Sequence, residues 1–102
     1  MIDLQPDHIA EVQRILQDCL PGCEVRAFGS RVQGRARRFS DLDIAVISPV
    51  PLSLRALEAA RDAFAESDLP MRVDLVDVAA VSESFRTIIQ QQWVPLPQVP
   101  NT

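Results

Sequence analysis

Lysine is absent from this chain, and so is tyrosine. All ten basic residues are arginines, set against 14 acids for a net charge of −4. That balance does not favour general binding to a nucleic-acid backbone, and no direct nucleic-acid binding is expected. Histidine occurs once, as His8, and cysteine twice, as Cys19 and Cys23. A structural zinc site takes four ligands, so the two cysteines read as buried, reduced thiols. A disulfide across the turn between them has no support in this composition. No apolar run reaches the ~18 residues of a membrane span, and no basic-then-apolar leader opens the chain. The expectation is a cytoplasmic protein with no membrane segment.

What is present is a globular composition. The chain has 102 residues, 47% of them hydrophobic, which suits one domain with a limited core. Read in order, Asp7 follows Pro6 as a helix cap, and Ile9, Val12, Leu16 and Cys19 share a helical face until Pro21-Gly22 stops it. Cys23 to Phe28 reads as a strand that runs straight into Gly29. Asp41 to Ser48 reads as a second strand by its β-branched content, ended by Pro49 and Pro51. Leu52 to Ser67 is a helix, with Leu54, Leu57 and Phe64 on one stripe and no Gly or Pro inside it. Met71 to Val78 alternates as a third strand, with Val73, Leu75 and Asp77 opposite Asp74, Val76 and Val78. Ser82 caps a last helix in which Phe85, Ile88, Ile89 and Trp93 are spaced for burial. With a short helix after Gly29, the order predicts an α/β fold built on a small mixed three-strand sheet packed with helices. Residues 1–94 are expected to form the domain, and 95–102 a Pro-rich tail, extended or disordered.

One stretch carries the chemistry. Gly29-Ser30-Arg31-Val32-Gln33-Gly34 reads as a tight turn opening that short helix, and Ser40-Asp41-Leu42-Asp43-Ile44-Ala45-Val46 as a strand that begins with two acids. Side chains alternate along a strand, so Asp41 and Asp43 share a face, about 7 Å apart at ~3.3 Å per residue. Such a pair is spaced to ligate divalent ions. Aspartate is depleted in strands, and metal binding supplies a reason for two on one face. Gly29 permits φ > 0 and close approach of a phosphate to the backbone. The amides that follow, with the Ser30 hydroxyl, would face an anion. Arg31, Arg35, Arg37 and Arg38 cluster beside this turn, and Arg suits phosphate because its planar fork donates two parallel hydrogen bonds. Ser40 can bond nearby backbone and hold the start of the acid-bearing strand.

Gly-Ser-x-x-x-Gly followed by Ser-Asp-Leu-Asp-Ile-Ala-Val resembles the signature of the polymerase-beta nucleotidyltransferase superfamily. The short length and the Gly29-Ser30-Arg31 opening resemble its minimal nucleotidyltransferase (MNT) branch, small antitoxin-type proteins often paired with helical HEPN proteins. The likeness covers nearly the whole order of elements. It implies a nucleotidyltransferase fold and a third carboxylate on the strand after the Asp-x-Asp pair, where Asp74 matches. Asp77 lies on the other face of that strand, near its end, where an acid commonly caps a turn.

On this reading Asp41, Asp43 and Asp74 are the catalytic and metal-holding residues, with two Mg²⁺ ions. Gly29, Ser30, Arg31, Arg35 and Ser40 are the nucleotide-binding residues, with ATP as substrate. The resemblance implies transfer of AMP to a side-chain hydroxyl of a HEPN toxin partner, because the chain lacks a second domain to complete an acceptor site. Two other readings stay open. One is a catalytically silent antitoxin module that neutralises its partner by contact. The other is a nucleotidyltransferase acting on a small molecule through a homodimer. Retention of all three acids favours the enzyme over the silent module.

Overall fold

The computed structural model describes residues 2–48 and 50–96. Helix α1 spans Pro6–Cys19 and strand β1 Glu24–Phe28. Strand β2 (Leu42–Ile47), helix α2 (Leu54–Glu66) and strand β3 (Val73–Asp77) follow, then helix α3 (Glu83–Gln92) and strand β4 (Val94–Pro95). The sheet order is β3-β2-β1-β4. β1 runs antiparallel to both β2 and β4, and β2 runs parallel to β3. The parallel pair needs a crossover, and α2 supplies it.

The mixed α/β sheet was legible, but its strand count was not. Four strands form, because the chain after α3 returns along the free edge of β1 and pairs Val94 with Ala27 and Pro95 with Arg26. Two residues are too few to show an alternating pattern, and a proline is tolerated only on such an edge. The expected boundary at residue 94 therefore falls too early. Pro95 belongs to the sheet, and Leu96 is buried in the main core. The rest of the expected tail, 97–102, lies outside the described residues, as does Pro49.

The sheet is covered on both faces. Ala27, Leu42, Ile44, Val46 and Leu75 point to one side, where α1 contributes Ile9, Val12, Ile15 and Leu16 and α2 contributes Ala60 and Phe64. Phe28, Ala45 and Val78 point to the other, where Ile89 of α3 packs on them. Cys19 and Cys23 carry free thiols and pack, half-buried, against the larger cluster.

Helix boundaries follow local chemistry. Ser53 caps α2 by accepting from the Ala56 amide at 3.1 Å, and Ser82 caps α3 by accepting from Phe85 at 3.2 Å. Helix α1 departs from expectation. Pro6 takes the first helical position, Gln5 is the N-cap without a side-chain bond, and Asp7 sits in the first turn. Proline lacks the N–H that a first-turn residue cannot use, and an acid there faces the positive end of the helix dipole. Two burial expectations also fail. Leu54 is 67% exposed, at the first turn of α2 ahead of the packed stripe. Phe85 (39% exposed) and Ile88 (51%) are exposed as well: Phe85 keeps only an edge contact with Phe28, and Ile89 is the one residue of α3 that is fully covered.

Candidate active site

Strand β1 delivers the chain into Gly29, whose φ is +82°. A Cβ on Gly29 would stand 2.1 Å from Oδ2 of Asp43, far inside contact distance. Glycine is therefore required twice, for its dihedral and for the room it leaves. The consequence is a carboxylate resting directly on the backbone of the turn. Register explains the approach: Phe28, just before Gly29, is the cross-strand partner of Asp43.

Asp43 in turn pairs with Asp74 across the parallel β2–β3 ladder. Paired residues share a face, so the two carboxylates stand side by side, with exposed Asp41 two positions upstream of Asp43. Burial pushes the Asp43 carboxyl up to about 6, and the negative charges of Asp74 and then Asp41 add to the push. Partial desolvation among like charges is costly to maintain, which makes this group of acids the candidate site. Among the described residues no three acidic, cysteine or histidine side chains converge closely enough to hold an ion as they stand. The fit to Mg²⁺ rests instead on the donors themselves: hard carboxylate oxygens whose mutual repulsion a cation would relieve.

Asp77 is placed apart from this group. It pairs with Val46, is buried, and gives one oxygen to the Leu52 amide (3.1 Å) and the other to Ala79 (3.0 Å). The second closes the turn after β3, and the first ties the segment before α2 to the end of that strand.

The glycine turn itself is not a helix. The Val32 amide bonds the Gly29 carbonyl, while Gln33 and Arg35 both bond that of Ser30, and Gly34 at φ +72° ends the run after one turn. The expected row of helix-terminal amides is thus reduced to those at the turn's start. Ser30 is partly exposed, and its hydroxyl and amide make no hydrogen bond among the described residues.

Arg31 does not reach toward a phosphate. Only 6% exposed, it turns inward and donates to three backbone carbonyls: Nε to Ser40 at 3.0 Å, and its terminal nitrogens to Asp3 (2.9 Å) and Arg38 (3.2 Å). Three satisfied carbonyls, one before α1 and two in the loop 38–40, outweigh a solvated charge, so this arginine knots the loop that leads to Asp41. Ser40 works in the same knot, its hydroxyl accepting from the Arg37 amide at 2.7 Å. Arg35 is exposed at the turn, with its guanidinium on the Gln33 side chain.

One residue of the site escaped the sequence. The Gly29 amide, expected to face an anion, donates to Oε1 of Gln92 at 2.7 Å. Gln90-Gln91-Gln92 reads as an undifferentiated polar helix end. Only the phase of α3 separates them, since Gln92 lies three residues beyond buried Ile89 and so on its face.

Cavity size alone would mislead. The larger cleft, about 640 Å³, lies between α1 and the β1–β4 edge and has no acid in its lining. A smaller one of about 490 Å³, between the end of α2 and the start of β3, includes Arg72 and Asp74 in its wall. Charge and register locate the chemistry better than volume does.

Acids gathered beside a serine-bearing glycine turn are the equipment of proteins that handle nucleoside phosphates. Comparison with known proteins narrows that class. The family model of the nucleotidyltransferase domain matches residues 9–98, and the chain belongs to that family. It is 46% identical over 101 residues to the probable protein adenylyltransferase MntA of Haemophilus influenzae, spanning 99% of this chain and 89% of that protein. Its fold superposes on a crystal structure of a toxin-antitoxin with AMP-PNP at a TM-score of 0.74 and 31% identity, over 87% of this chain and 72% of the other. A second superposition is on a tri-AMPylated Shewanella oneidensis HEPN toxin in complex with MNT antitoxin. There the TM-score is 0.67 and the identity 26%, over 92% of this chain and 72% of the other. No helix among the described residues is long and apolar enough to cross a membrane.

Proposed function

We propose that this chain is the antitoxin of a HEPN/MNT pair, a Mg²⁺-dependent enzyme of the cytoplasm that transfers AMP from ATP to a hydroxyl of its partner toxin. The observation that carries the reading is the strained acid group: Asp43 pressed onto Gly29, raised to about 6, with Asp74 and Asp41 facing it. A module acting by contact alone has no use for three like charges held against one another. The relatives' names, as a protein adenylyltransferase and as antitoxins with HEPN toxins, support the same direction.

Asp41, Asp43 and Asp74 would hold Mg²⁺, which when bound supplies positive charge to offset that of the triphosphate. Ser30 receives the terminal phosphates through its free amide and hydroxyl, with the exposed Arg35 adding charge at the mouth of the turn. Arg31, Ser40 and Gly29 contribute by shaping the loop and turn. The partner's hydroxyl oxygen attacks the α-phosphorus, the bond to the β-phosphate oxygen breaks, and pyrophosphate leaves. The carboxylate of Asp74, beside Asp43, favours loss of the hydroxyl proton. Positioning and electrostatics account for the rate, and no covalent enzyme intermediate is needed.

The test is the intact mass of a partner co-expressed with the wild-type chain and with Asp43→Asn. Wild type should add one or more AMP units of ~329 Da, an increment set by covalent chemistry, and the variant none. A partner neutralised equally by both, and never modified, would defeat the enzymatic reading.

A further inference from the structure

We propose that Gln92 is a positioning residue of this site. From the last turn of α3 it holds the Gly29 amide and so fixes the turn that offers Ser30 to phosphate. The phosphate part rests on the function proposed above; the hold on Gly29 does not.

The contact joins residues 63 positions apart at 2.7 Å, and it is the only side-chain hydrogen bond between α3 and the turn among the described residues. Glycine pays little for any φ, so contacts and not the residue itself keep Gly29 in its left-handed well. Its carbonyl is engaged by Val32 and its amide by Gln92, so both backbone polar groups of the residue are held. The turn must stay in place for two reasons. Asp43 lies on it with no space to spare, and Ser30 is the next residue. Ile89, wholly buried against Phe28 and Ala45, anchors the helix that carries Gln92. The choice of side chain follows from charge. An amide oxygen accepts as a carboxylate does, yet adds no fourth negative charge beside Asp41, Asp43 and Asp74.

The chain has three glycines, so ¹⁵N-glycine labelling of the full-length protein gives three backbone amide signals to follow. Gln92→Ala and Gln92→Met remove the acceptor, the second with similar bulk. Both should speed hydrogen exchange at Gly29 about tenfold or more while Gly22 and Gly34 are unchanged. Gln92→Glu keeps an acceptor and should leave Gly29 protected. Calorimetric titration with ATP and Mg²⁺ should show binding about tenfold weaker in Gln92→Ala and Gln92→Met, as expected for a lost orienting contact. Unchanged exchange at Gly29 in Gln92→Met overturns the hold. Faster exchange with wild-type affinity overturns the link to phosphate through Gln92. A wild-type chain that binds no ATP overturns the nucleotide reading and the phosphate part with it, leaving the exchange result to judge the hold by itself.

Discussion

The two faces of the sheet are built from the same strands and obey opposite rules. Toward α1 and α2, β2 presents Leu42, Ile44 and Val46, each fully buried in a continuous apolar layer. Toward α3, it presents Asp43, Ala45 and Ile47, of which only the latter two join a small apolar cluster. The first face gains free energy from every contact. The second spends its lower half on a carboxylate pressed against a glycine and facing two like charges. Alternation along one strand thus separates the stabilising residues from the proposed catalytic one by a single residue step, with the apolar face offsetting the cost of the acidic one.

Substitutions one position apart should therefore differ in sign as well as size. Ile44→Ala opens a hole in the fully buried layer and should cost about 2–5 kcal/mol, measured as a lowered denaturation midpoint. A loss under 1 kcal/mol would mean that this face is not the main source of stability. Asp43→Asn should spare the fold yet reduce AMP transfer at least a hundredfold, or roughly 3 kcal/mol in the transition state at ~1.4 kcal/mol per tenfold. Single-turnover rates on the partner measure it, and retention of more than a tenth of the activity would sink the role of Asp43.

Arg31 comes next. Arg31→Met keeps the bulk but strips three carbonyls of their donor, so it should cost about 2 kcal/mol of stability. Because the knot orders the approach to Asp41, protease cleavage within residues 35–40 should rise in parallel. An unchanged melting temperature would show that water replaces the guanidinium without loss.

The smallest effect has the opposite sign. The folded state raises the carboxyl of Asp43 to about 6, so it binds a proton more tightly than the unfolded chain does. Stability is full below the ordinary carboxylate range and is lost as pH rises toward and through 6. Replacing Asp43 by Asn removes that loss. The variant should match wild type near pH 4 and exceed it by about 1 kcal/mol near pH 7.5, a figure discounted for the screening a half-exposed group receives. Adding Mg²⁺ should stabilise the wild type and shrink the gap. Denaturant melts at both pH values, with Mg²⁺ or with EDTA, measure it; a variant less stable than wild type at pH 7.5 would contradict the charge strain.

How much could be read beforehand follows from range. The alternation in Leu42–Ile47 and Val73–Asp77, the cap at Ser82, and the glycine turn at position 29 are settled within a few residues of themselves. These were legible, whereas α2 starts two residues later than Leu52, with Ser53 as its cap. Also legible was the division of Asp74 from Asp77, because period two assigns faces whatever the neighbours are. The cluster of arginines misled in one respect: composition cannot tell a guanidinium that meets solvent from one that meets three carbonyls.

The sequence by itself determined a mixed α/β domain, the face on which Asp41 and Asp43 stand, and the glycine turn beside them. These depend on local dihedrals and on the pitch of strand and helix. Only the tertiary structure decided that β4 would pair with β1 and that Arg31 would turn inward. It alone paired Asp43 with Asp74 and aimed Gln92 at Gly29. The physical reason is that each of these joins segments far apart in the chain. Their partners are chosen by sheet order and by the phase of α3 on the sheet, which no local pattern encodes.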